Sequence, residues 1–154
     1  MLLYKKILNK LINKKITIST AESCTGGLLA YSITKNKDSS KVYKGGYITY
    51  SNQSKIIDLK VKKTSLNKYG AVSSEIAEEM IRGLYLKNKT QICISTTGIA
   101  GPGGGTKYKP IGLVYIGIRI HGKTNVIKKN FKGTRTQIKK KCVNFIFNYL
   151  DKLI

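Results

Sequence analysis

Two short apolar, β-branched runs constrain this chain most: Ile16-Thr17-Ile18, and the stretch QICISTT at 91–97. Each ends abruptly in small residues and glycines, TAESCTGG after the first and GIAGPGGG after the second. The second run reads as a strand buried in a sheet that is covered by helices. The small residues mark corners where the chain turns off the sheet. The intervening periodicity supplies the helices. Residues 3–14 place Leu3, Tyr4, Ile7, Leu8, Leu11 and Ile12 on one helical face. Gly26 to about Ile33 reads as a helix, and so does Ser54–Leu59. A longer helix opens at Ser73-Ser74-Glu75, with a serine as its cap. Residues 16–20 and 46–51 are the other early strands. Residues 111–120 and 124–131 form a hairpin about His121-Gly122, and 134–153 is a closing helix. Strands alternating with helices and ending in an antiparallel pair predict an α/β fold, a three-layer α/β/α sandwich around a mixed sheet.

The length of 154 residues suits a single domain spanning 1–154. The longest clean apolar run, Ile111–Ile118, has eight residues, two of them glycine. That is well short of the roughly 20 a membrane helix needs, so no membrane partner is expected. The lysine-studded N-terminus has no continuous apolar core and does not read as a signal peptide. The three scattered cysteines, Cys24, Cys93 and Cys142, suit free thiols in a reducing cytoplasm. The net charge of +22 invites a nucleic-acid reading, but only Arg82, Arg119 and Arg135 of the 29 basic residues are arginines. Lysines spread among Asn and Ile point to a chain-wide substitution bias and a solvated surface, with no specific nucleic-acid partner.

Chemistry concentrates at the corners. Ser23 follows a strand and precedes a helix whose first N–H groups are unpaired. Gly26 and Gly27 would let a ligand approach that backbone. Two readings of the corner stand here: a hydroxyl nucleophile beside an oxyanion or phosphate cradle formed around Thr25, Gly26 and Gly27, or a helix capped by Ser23 or Thr25. A serine nucleophile needs a base. The only histidine, His121, falls in the hairpin turn. The other option is a lysine of lowered pKa, and the segment GGYITYSNQSK places Tyr50 and Lys55 where both can face the crevice at the strand's end. With so many lysines, this reasoning alone does not single out Lys55. The glycine-rich stretch 97–106, which includes Gly101 and Gly103, could form an anion-binding nest, but is neither a P-loop nor a dinucleotide fingerprint. One histidine, three dispersed cysteines and seven carboxylates without paired spacing suggest no metal site.

The segments AESCTGG, GGYITYSNQSK, YGAVSSE and TTGIAGPGGGT…KPIGLVYIGI, in this order and spacing, resemble the C-terminal domain of the CinA-like family, the nicotinamide-nucleotide amidase. The resemblance runs from about Ile16 through the closing helix. It implies hydrolysis of the carboxamide of nicotinamide mononucleotide to nicotinate mononucleotide and ammonia, with no cofactor or metal. It also implies that Ser23 is the nucleophile and that Tyr50 and Lys55 help activate it. Arg135 matches a basic residue in the family's Gly-Asp-Arg segment, where Thr134 here replaces the acid. Longer family members carry an additional N-terminal domain, so the chain resembles a stand-alone form; self-association is left open. On this reading Lys55 takes the serine's proton, either directly or through the Tyr50 hydroxyl, and Arg135 helps to depress the lysine's pKa. The rival readings are a family member that only binds a nucleotide, which the change at Thr134 keeps alive, and a lysine-rich nucleic-acid binder, for which no motif is present.

Overall fold

A five-stranded mixed sheet in the order β2-β1-β3-β4-β5 carries the molecule. The computed structural model describes residues 2–154. In chain order the elements are α1 (Leu2–Asn13), β1 (Ile18–Glu22), α2 (Leu28–Thr34), β2 (Tyr43–Ile48), α3 (Asn52–Leu59), α4 (Lys63–Tyr69), α5 (Ser74–Asn88), β3 (Ile92–Gly98), β4 (Leu113–Ile120), β5 (Lys123–Asn130) and α6 (Arg135–Leu153). The pairs β1–β2 and β1–β3 are parallel; β3–β4 and β4–β5 are antiparallel. Helices cover both faces, giving the expected three-layer α/β sandwich.

Side-chain alternation along the strands explains the layers. Ile18, Ile92, Ile94, Val114, Ile116 and Ile118 join α1, α2 and α6 in one buried cluster. Ala21 and Cys93 point the other way, into a second cluster with α3, α4 and α5. All five residues of β1 are buried, as are the first six of β3, so both strands lie between the two helical layers. Gly83 sets the spacing within the second layer. A Cβ there would lie 1.9 Å from the carbonyl oxygen of Leu59, so α5 passes directly against the end of α3.

The structure moves several expected boundaries. β1 begins and ends two residues later than expected. α2 begins at Leu28, because Gly26 and Gly27 have φ of +60° and +98° and form the preceding turn. β2 ends at Ile48, so Tyr50 lies in the connector beyond the strand instead of ending it. α4 falls in a lysine-rich segment where no helix was expected. The hairpin at His121-Gly122 forms as read, with φ of +51° and +76° at its two turn residues. Among the described residues, no helix is long and apolar enough to cross a membrane.

Candidate active site

The carboxyl ends of β1 and β3 lie side by side, and the site is built on their outgoing loops. The Ser23 N–H donates to the Thr96 carbonyl at 2.9 Å, extending the β1–β3 pairing one step beyond the strand. Gly26 N–H then donates back to the Ser23 carbonyl at 3.0 Å and closes the turn. Ser23 itself is buried and retains 8% of its exposure, through the hollow in front of it.

Lys55 comes from the opposite layer. Ser51 and Ser54 form a capping box that starts α3, and Lys55 follows one turn in. Its Nζ lies 3.1 Å from Ser23 Oγ and donates to the Thr49 carbonyl at 2.9 Å. Lys55 is 1% exposed, and none of the ion pairs among the described residues includes it. Burial lowers its pKa below the usual lysine range; the neighbouring Cys24 opposes this. Arg135 is not a cause of that shift, which corrects one expectation. The Cys24 thiol behaves oppositely: burial pushes it up to about 12, so at neutral pH it stays protonated. Of these two adjacent side chains, only the serine is hydrogen-bonded to Lys55.

Arg135 is the first residue of α6. Thr134 caps that helix in a capping box with Gln137. Thr and Asp both serve well at this position, so the Gly-Thr-Arg segment does the same structural work as a Gly-Asp-Arg one. The Arg135 guanidinium donates to the Gly101 carbonyl at 2.7 Å and to the Tyr50 hydroxyl at 2.6 Å. It therefore clasps the glycine-rich loop to the connector after β2. Tyr50 is held by Arg135, whereas Lys55 meets Ser23 directly, without Tyr50 between them.

A hollow of about 270 Å³ brings Ser23, Tyr50, Lys55, Gly101, Gly103 and Arg135 together. Thr25, Gly26 and Gly27 do not belong to it. They line a separate hollow with Tyr31 and Lys139. Just beyond them, the N–H groups of Leu29 and Ala30 at the start of α2 are already taken. The fully buried Glu22 carboxylate accepts the N–H groups of Leu29 and Ala30 at 2.9 and 3.0 Å, and the Thr25 hydroxyl at 2.7 Å. Thr25 thus faces inward, where its hydroxyl also meets that of Thr96 at 2.7 Å. Sequence reasoning missed Glu22, although an acid directly before a candidate nucleophile was a visible signal. It also missed Asn52, which lines the hollow and lies three residues before Lys55 on the same helix. His121 lies at the far end of β4, opposite the site. No group of three His, Cys, Asp or Glu side chains able to hold a metal occurs among the described residues.

The CinA C-terminal domain profile matches residues 2–154. The chain belongs to the CinA C-terminal domain family. It is 49% identical over 144 residues to a competence-damage inducible protein of Clostridium acetobutylicum, covering 94% of this chain and 35% of that protein. It is 51% identical over 141 residues to a CinA-like protein of Fusobacterium nucleatum, covering 92% and 34%. The chain therefore spans about a third of the length of these curated relatives. The crystal structure of a CinA superfamily protein from Escherichia coli matches with a TM-score of 0.93 at 33% identity, over 99% of this chain and 88% of that one. A competence/damage inducible protein from Agrobacterium tumefaciens matches with a TM-score of 0.94 at 35% identity, over 98% and 93%.

Proposed function

We propose that this CinA-family chain is a serine amidohydrolase that converts nicotinamide mononucleotide to nicotinate mononucleotide and ammonia. One observation carries the reading: a buried lysine without a counter-ion lies 3.1 Å from the hydroxyl of a serine at the mouth of a small-molecule-sized hollow. A neutral amine has two N–H groups and a lone pair. One N–H donates to the Thr49 carbonyl; across the 3.1 Å contact with Ser23 Oγ, where Lys55 Nζ can also donate, the lone pair of the neutral amine would accept the serine's proton. Ser23 Oγ attacks the carboxamide carbon as Lys55 Nζ takes its proton. The tetrahedral intermediate collapses, and that proton leaves on the departing ammonia. Water, activated by the same amine, then hydrolyses the acyl-serine ester.

The oxyanion needs donors, and the start of α2 cannot provide them. We assign this role to the N–H of Cys24, directly after the nucleophile, which donates to no oxygen among the described residues. Such a donor contributes about 3 kcal/mol to catalysis. Arg135 retains donors beyond those used on Gly101 and Tyr50, and these suit the substrate phosphate. No cofactor enters the scheme, and the partner is a free small molecule. Three free cysteines suit a reducing compartment.

The test is ammonia release from nicotinamide mononucleotide by the purified chain, with nicotinate mononucleotide identified by mass spectrometry. Stoichiometric appearance of both products is expected. Failure to release ammonia while Ser23 still reacts with serine-directed reagents would overturn the substrate assignment.

A further inference from the structure

We infer that Glu22 is a positioning residue that aligns Ser23 with Lys55 by tying together the backbone on which both depend. This rests on the serine–lysine reading above. The capping position of α2 is occupied by Gly27, which has φ of +98° and no side chain to cap with. A Cβ there would meet Ile48 Cδ1 at 3.0 Å. The N–H groups of Leu29 and Ala30 are instead taken by an acid reaching forward from the last residue of β1. A fully buried carboxylate is costly unless it is well hydrogen-bonded. Here it accepts three bonds, all from the turn and helix that follow Ser23. The loop 23–27 is therefore closed at its base, and Ser23 is the first residue inside it.

The main chain of Glu22 serves the other partner. Its carbonyl accepts the Thr49 N–H at 2.8 Å, and the Thr49 carbonyl in turn receives Lys55 Nζ. One residue thus sets the serine's turn through its side chain and the lysine's anchor through its backbone. The carboxylate points into the α2 layer, whereas Lys55 enters from the α3 layer, and the lowered pKa of Lys55 has burial as its cause. Glu22 acts on geometry and leaves the basicity of Lys55 alone.

Glu22→Gln keeps the shape but sets an amide donor against a backbone donor. Thr25→Val keeps Glu22 but removes the hydroxyl that joins it to Thr96. The readout is the rate of Ser23 modification by a small fluorophosphonate across pH, with melting temperature measured alongside. It requires no assumption about the amide substrate. The parent is expected to be labelled at Ser23. Glu22→Gln, fully folded at the assay temperature, should be labelled roughly 10- to 100-fold more slowly at every pH, with the same pH midpoint. Thr25→Val should show a smaller loss of the same kind, and it carries the test if Glu22→Gln does not fold. Parental labelling rates, losses that merely follow the unfolded fraction, or a displaced midpoint would each overturn the inference. A parent that is not labelled at all would overturn the nucleophile assignment itself, a distinct outcome.

Discussion

Replacing Lys55 by Met should sharply reduce catalysis and reshape the pH dependence of stability in the way a buried amine without an ion-pair partner does. Burial lowers the pKa of Lys55 in the folded protein. In the unfolded chain it returns to about 10.4. Between these two values the unfolded chain binds a proton that the folded one does not. The parent protein therefore gains stability as pH rises through that window, by about 1.4 kcal/mol per pH unit. Lys55→Met has no such proton. Every other lysine titrates in both proteins, so the difference between them isolates Lys55. The variant escapes the cost of burying the amine, but it leaves the Thr49 carbonyl without its donor, which costs about 1–3 kcal/mol. The parent's stability relative to the variant should then climb with rising pH, by about 3–6 °C in Tm per pH unit inside the window. Thermal unfolding of both proteins from about pH 6 to pH 10 measures this. Turnover in the same variant should fall by about 10²–10⁴-fold, or about 3–5 kcal/mol of barrier. A Tm difference that stays flat across pH would mean that Lys55 titrates like a surface lysine, and its assignment as a base would be withdrawn.

Ser23→Ala should eliminate ammonia release, whereas Cys24→Ala should retain most of it, because the Cys24 thiol is held protonated by burial; the reverse pattern in a steady-state assay would exchange their roles. Arg135→Ala should raise KM more than it lowers kcat, since it releases both the Gly101 loop and Tyr50. The pH midpoint of kcat/KM should stay in place in that variant, because burial depresses Lys55; a marked upward shift would assign the guanidinium an electrostatic role. Gly83→Ala should destabilise the fold by about 2 kcal/mol or more in denaturant titration, since its Cβ would overlap the Leu59 carbonyl; near-parental stability would show that α3 and α5 can separate freely.

The sheet, its buried strands and five of the six helices were legible because period and punctuation agreed there. QICISTT lies buried along most of β3, and His121-Gly122 is the turn its residues suggested. α4 was not legible: it carries two lysines and follows a third, and only Leu66 among its residues is buried. The site was legible in its residue types and in the resemblance, but its wiring was not. Nothing local to Tyr50 says that Arg135, 85 residues later, takes its hydroxyl. The surroundings of the cradle read at Thr25-Gly26-Gly27 were hidden for a comparable reason. The helix start has unpaired N–H groups when α2 is viewed alone, and a side chain from the neighbouring strand satisfies them once the fold is formed. The pairing of Lys55 with Ser23 depends on two layers meeting at the carboxyl ends of the strands, which no local pattern encodes.

Strand order also determines when this chemistry can begin. β1 lies between β2 and β3, and β3 enters the sequence only after α5. A ribosome delivering the chain from its N-terminus has released Ser23 and Lys55 long before residue 96 exists to accept the Ser23 N–H. The clasp onto Gly101 and Tyr50 must wait longer still, for Arg135. A nascent chain with its serine and lysine already made thus lacks the partner strand that sets them against each other. The serine and lysine are set against each other only once β3 has joined the sheet, and the clasp forms only once α6 has folded back over it.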